Sequence, residues 1–203
     1  MSKNQVIVRK RTTAYCGYMR LDHYRLKHTI FDGDWSMELS REVLERGHAV
    51  AVLPYDPLSN VVVLTEQFRI GGYTAPNTSP WQIECIAGII EPHQLAIEAA
   101  HRETSEEAGL RILDLEPMHT YLSSPGCTSE TIQLFCGHVI ADNVGGVHGL
   151  ADEGEYIRVI SAPLEQAFSW LNNGRIENGM TIIALQWLKI NLIKVQGKWG
   201  IRD

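Results

Sequence analysis

Residues 88–110 read GIIEPHQLAIEAAHRETSEEAGL, with three carboxylates, Glu103, Glu106 and Glu107, crowded into five positions before Gly109. At about 100° per residue, a helix sets Glu106 and Glu107 on either side of the line through Glu103, so all three share one narrow stripe. Ala96, Ala99 and Ala100 continue the stripe upstream. Residues this small allow close packing, which predicts an inward face, and carboxylates that face inward need a partner. A solvated helical face is the ordinary explanation of a Glu cluster. Here, however, the segment contains no Lys, and its one Arg, Arg102, is expected to pair with Glu98 four positions earlier. A hard cation such as Mg²⁺ answers the repulsion, because it takes oxygen ligands and works through one or two carboxylates plus substrate phosphates.

Outward from this segment, Gly109 is placed to end the helix, which is expected from about Leu95 to Ala108. Upstream, WQIECIAG (residues 81–88) reads as a strand. HAVAVLPYDPLSNVVVLTEQFR (residues 48–69) reads as two buried β-branched strands around a turn at Asp56 to Asn60. Further strands are expected at residues 118–123, 132–140 and 156–160. Two apolar helices follow, the first of them capped by Ser161. Before His48 the pattern alternates apolar and polar around Phe31-Asp32-Gly33-Asp34, which predicts a strand hairpin. The chain therefore divides into a small β piece, residues 1–46, and a larger α/β domain, residues 47–203.

The 203 residues carry a net charge of -6, with Lys and Arg scattered apart from Arg9 to Arg11. A nucleic-acid partner needs a clustered basic footprint, so none is expected. The four cysteines, Cys16, Cys85, Cys127 and Cys136, form no CxxC pair; free thiols in a reducing cytoplasm are expected. No apolar run approaches 18 residues, and neither a signal peptide nor a membrane partner is predicted.

From Gly88 the spacing runs five residues to Gln94, then seven to Arg102-Glu103-Thr104-Ser105-Glu106-Glu107-Ala108-Gly109-Leu110. This resembles the Nudix box, G-x5-E-x7-R-E-U-x-E-E-x-G-U, in which U is a bulky aliphatic residue. Gln94 stands in place of the first Glu, and Thr104 in place of an aliphatic residue or Ala. ERGHAVAVLPYDP, EQFRIGGY, LSSPGCTSE, GLADEGEYIRV and IALQWL extend the similarity to the bacterial ADP-ribose pyrophosphatase branch of that family. The resemblance implies an α/β/α Nudix sandwich with a small N-terminal β domain, exchanged between the two subunits of a homodimer. It also implies Mg²⁺, with Mn²⁺ as a substitute.

Position by position, the resemblance makes Glu103, Glu107 and the backbone oxygen of Ala87 metal ligands, with Glu155 as an additional one. Glu106 belongs to the same catalytic group, and Arg102 orients the carboxylates. The general base falls at Glu153 in the acidic loop Asp152-Glu153-Gly154-Glu155. Tyr18 is placed to stack on adenine. Arg41 and Arg69 lie near adenine or phosphates, Glu84 makes polar contacts, and Ser124 makes them from the second subunit. The implied reaction is Mg²⁺-dependent hydrolysis of ADP-ribose to AMP and ribose 5-phosphate. Two alternatives stay open: a pyrophosphatase of another nucleotide sugar such as GDP-mannose, and a catalytically silent ADP-ribose sensor.

Overall fold

The computed structural model describes residues 5–149 and 154–200, which form two units: the residues up to His48 with Tyr121–Ile132, and Ala49–Thr120 with the residues from Gln133 onward. The first unit holds strands β1 (Val6–Cys16), β2 (Arg20–His28) and β3 (Leu39–Glu45) in an antiparallel sheet of that order. The β2–β3 hairpin turns where the sequence places it, and Gly33 takes the positive φ of 97° that favours glycine. β1 is a strand the sequence pattern did not disclose. It is exposed at every position, so no alternation of burial marks it.

The buried residue of this small sheet is a charge, Asp22. Arg11 Nη2 donates to its carboxylate at 2.6 Å, Thr13 Oγ1 at 2.8 Å and Arg20 Nε at 3.1 Å. The Arg11 hydrogen bond, aided by those from Thr13 and Arg20, holds the Asp22 carboxyl below the usual range. The stretch Tyr121–Ile132 joins this unit through backbone contacts: Leu44 N donates to Cys127 O, and Thr128 Oγ1 to Leu44 O, each at 2.8 Å.

The second unit is built on β4 (Ala49–Asp56) and β5 (Val61–Phe68), joined by a tight turn. A short helix, α1 (Ile70–Thr74), leads to β6 (Trp81–Glu84) and β7 (Ile86–Ile89). Then come α2 (Ala96–Ala108), β8 (Asp114–Leu122), β9 (Thr131–His138), β10 (Val147–His148), β11 (Ile157–Pro163), α3 (Leu164–Asn172) and α4 (Gly179–Lys198). The sheet order is β10-β11-β5-β4-β9-β8. β4 is buried at all its positions, so both faces of the sheet are covered. α2 packs on β7 and β4 through Ala99, Ala100 and Ala108, against Val50, Val52 and Ile86. α3 and α4 also pack on the sheet, burying Ala167, Phe168, Ala184, Leu185 and Leu188. The α/β class expected from the sequence holds.

One local difference shapes the functional region. β4 and β5 pair only beside their turn, at Tyr55–Val62 and Asp56–Val61, and then diverge. Residues 81–89 fill the gap as two strands, β6 on β5 and β7 on β4, with Cys85 between them. The single strand expected there is therefore two. The cap expected at Ser161 also differs: Ser161 lies within β11, and α3 starts after Pro163 with no side-chain cap. Among the described residues, no helix is long and apolar enough to cross a membrane.

Candidate active site

α2 presents its carboxylates to β7. Its N-terminus is set by Glu98, whose Oε2 accepts from Leu95 N at 2.9 Å, and by the turn before it, where Gln94 Oε1 accepts from Glu91 N at 3.1 Å. Gln94 thus serves as a neutral acceptor in the position of the family's first Glu. At the other end Gly109 is left-handed (φ 64°), and the Gly109 and Leu110 amides donate to Ser105 O and Thr104 O.

The three glutamates of the stripe have different surroundings. Glu107 is 4% exposed, and Ala87 N donates to its Oε2 at 3.4 Å. Burial first, then the Glu103 charge, pushes its carboxyl up to about 8, against the lowering effects of Ala87 N and Arg69. Glu103 lies over Gly88 so closely that a β-carbon at residue 88 would collide with its carboxylate. Burial raises its carboxyl above the ordinary value, and the Glu106 and Glu155 charges add to that, while Arg102 opposes it. Glu106 is exposed.

Arg102 is not paired with Glu98 as its spacing predicted. Its Nη2 meets Glu103 Oε1 at 2.8 Å and its Nη1 meets Glu106 Oε2 at 3.0 Å, while Nη2 also donates to Ile89 O at 3.2 Å. Glu98 is committed to the start of the helix, which leaves the guanidinium to the next turn. Two buried polar atoms here, Arg102 Nε and Thr104 Oγ1, have no hydrogen-bond partner among the described residues.

Beside this cluster, Arg69 and Glu84 meet across β5 and β6. Arg69 Nε donates to Glu84 Oε2 at 2.9 Å, and Nη2 lies 2.7 Å from the same oxygen. Glu84 is 2% exposed, and its other oxygen, Oε1, accepts from Asn178 Nδ2 at 2.9 Å. The charges of Glu107 and Glu155 also act on Arg69. The structure thus gathers Ala87, Arg102, Glu103, Glu106, Glu107, Glu155, Arg69 and Glu84 in the second unit, and sets Tyr18, Arg41 and Ser124 in the first. Tyr18 is 87% exposed at the β1–β2 turn, and Arg41 and Ser124 are exposed as well. Asp152 and Glu153 lie outside the described residues. Among the described residues, no three His, Cys, Asp or Glu side chains are gathered into a shell for a metal ion.

Sequence reasoning missed the Asn178 contact. An Asn directly before an apolar helical run is a cap signal, but nothing in that signal shows that the amide also reaches Glu84.

A helix that lays Glu103 and Glu107 against one strand of a split sheet, with Arg102 bridging Glu103 and Glu106, fits the resemblance read from the sequence, and the comparisons agree. The NUDIX domain model matches residues 45–182. The chain belongs to the Nudix hydrolase family. Over 198 residues it is 44% identical to an ADP-ribose pyrophosphatase of Escherichia coli K12, covering 98% of this chain and 94% of that relative. It is 39% identical to an ADP-ribose pyrophosphatase of Haemophilus influenzae, with 98% and 92% covered. A GDP-mannose pyrophosphatase of Pectobacterium atrosepticum is 34% identical over 149 residues, covering 72% of this chain and 75% of the relative. A crystal structure of an ADP compounds hydrolase superposes with a TM-score of 0.72 at 18% identity, covering 96% and 97% of the two chains, and shares the fold.

Proposed function

We propose that this protein hydrolyses ADP-ribose to AMP and ribose 5-phosphate in a Mg²⁺-dependent reaction, with Mn²⁺ as a substitute. The observation that carries the reading is the packing of Glu103 and Glu107 against Gly88 and Ala87. It supplies hard oxygen donors and no His or Cys, and it leaves a carboxylate raised to about 8 by burial and by the neighbouring Glu103 charge. That donor set fits Mg²⁺.

Glu103, Glu107, Glu155 and the Ala87 carbonyl would hold the cation, and Arg102 positions Glu103 and Glu106 through the contacts above. A cation held there neutralises pyrophosphate charge and lowers the pKa of a water. Glu153 serves as the base that takes the water's proton. Arg69 binds a phosphate oxygen, and Glu84 serves the substrate by holding Arg69. Tyr18 stacks on adenine, with Arg41 beside it and Ser124 contributed by a second copy.

The N-terminal domain, residues 1–46, is read as exchanged in a homodimer. Support comes from β1, which is exposed throughout and leaves Val6, Val8 and Tyr15 uncovered. The four thiols are free, which suits a cytoplasmic enzyme. A nucleoside diphosphate sugar is the expected partner, with neither nucleic acid nor membrane.

Substrate choice favours ADP-ribose over GDP-mannose because relatives bearing the first name are more identical and match along nearly the whole chain. The test is a panel of both compounds with Mg²⁺, products separated by chromatography. AMP and ribose 5-phosphate from ADP-ribose, at a kcat/KM at least tenfold above that for GDP-mannose, is the expected result. Preference for GDP-mannose, or tight ADP-ribose binding without turnover, would overturn it.

A further inference from the structure

Asn178 stands directly before α4, and its side-chain oxygen is used within that helix. Oδ1 accepts from Thr181 N at 3.1 Å and from Thr181 Oγ1 at 3.0 Å. Its amide nitrogen is used elsewhere, donating 2.9 Å to Glu84 Oε1, a residue 94 positions away. Glu84 therefore has one oxygen on Asn178 and the other on Arg69. Nε and one N–H of Nη2 are directed at Glu84, which leaves the Nη1 side of the Arg69 guanidinium without a partner among the described residues and open to an anionic ligand. Three further hydrogen bonds tie the same corner. Thr181 Oγ1 accepts from Cys85 N at 2.8 Å, and Glu177 Oε2 accepts from Ser79 N and Gln82 Nε2, both at 3.1 Å. Glu177, Asn178 and the first turn of α4 thus hold β6 at both its ends.

We propose that Asn178 is a positioning residue for substrate binding: its amide fixes the Glu84 carboxylate, which fixes the Arg69 guanidinium for the pyrophosphate. This rests on the reading of Arg69 as a phosphate contact. A helix cap needs only an acceptor, and the Oδ1 atom meets that need. The Nδ2 donation does no work for the helix. It spends the second oxygen of Glu84, so the carboxylate has a single orientation from which to meet Arg69. Among the described residues, the charged group in contact with Glu84 is Arg69, just past the end of β5.

Two substitutions separate capping from positioning. Both keep a capping oxygen: Asn178→Asp has no donor and sets a second carboxylate against Glu84, and Asn178→Ser, shorter by the amide group, loses the Nδ2 that reaches Glu84 and uses its hydroxyl oxygen at the helix. Kinetics are measured on whichever of ADP-ribose and GDP-mannose the wild type turns over better, with melting temperature recorded for each protein. Both variants should remain folded at the assay temperature, with Asn178→Asp melting the lower because it opposes the buried Glu84 carboxylate, and both should raise KM roughly tenfold or more with kcat changed less than about threefold. In an Arg69→Gln background, where KM is already raised, Asn178→Asp should add less than a further twofold, because two residues acting through one chain of contacts are not additive.

A KM within twofold of wild type in both Asn178 variants, or an equal KM increase in both backgrounds, would leave Asn178 as a helix cap and overturn the proposal alone. A normal KM in Arg69→Gln would overturn the phosphate role of Arg69 and the proposal with it. A wild type that turns over neither compound would overturn the functional reading together with everything built on it.

Discussion

The carboxylate of Glu103 occupies the space that a β-carbon on residue 88 would fill, so Gly88 and Glu103 share one volume across the interface of β7 and α2. No positive φ is needed at Gly88. The requirement is steric: any side chain there displaces the glutamate. In Gly88→Ala the protein should fold and kcat should fall at least about 10²-fold, the scale expected when a catalytic group is moved by an ångström. Steady-state kinetics with Mg²⁺ saturating checks this, and activity within tenfold of wild type would show that Glu103 does not hold the metal.

Glu107 predicts a pH dependence in the chelated protein. Its carboxyl is raised from an ordinary 4.5 to about 8, so the folded state prefers the protonated form. The associated stability is fully present below about 4.5 and is lost as pH rises through about 8. The scale is on the order of 5 kcal/mol as an upper figure. With a chelator present, wild-type stability should decline across that window and Glu107→Gln should not, leaving the variant the more stable protein above the upper limit. Added Mg²⁺ should stabilise wild type more at the alkaline end, where the ligand is already deprotonated, and the variant little at any pH. Denaturant midpoints at a series of pH values measure both; parallel slopes for the two proteins would refute the assignment.

With Glu153 proposed as the base and Glu155 as a metal ligand, substitution separates the two roles. Glu153→Gln should lower kcat by roughly 10² to 10⁴, the usual contribution of general acid/base catalysis, with metal affinity by titration unchanged. Glu103→Gln, Glu107→Gln and Glu155→Gln should each weaken metal binding. If Glu155→Gln abolishes turnover with metal binding intact while Glu153→Gln is nearly normal, the base is Glu155.

Tyr18 can be replaced without touching a core, since it is almost wholly exposed. Loss of a base-stacking ring removes about 1–3 kcal/mol, so Tyr18→Ala should raise KM for ADP-ribose roughly 5- to 100-fold with kcat and melting temperature little changed. An unaltered KM would take Tyr18 out of substrate recognition.

The helix of the box was readable in the sequence because its signals are local. The 3.6-residue period groups Ala99, Ala100, Glu103 and Glu107 whatever they pack against, and Gly109 supplies a left-handed stop that needs no distant partner. β4 and β5 were equally legible, because strands buried on both faces are written as continuous apolar runs. What the sequence left open was every choice among equally spaced or distant partners. Arg102 lies four residues from both Glu98 and Glu106, and only the helix start, by taking Glu98, sends the guanidinium to Glu103 and Glu106. The residues around Cys85 read as one continuous strand, yet they make two because β4 and β5 part and each needs an edge partner. Arg69, Glu84 and Asn178 carry no mutual signal at all. They meet because the sheet places β5 beside β6 and α4 begins next to them, a proximity created by packing between segments far apart in the chain.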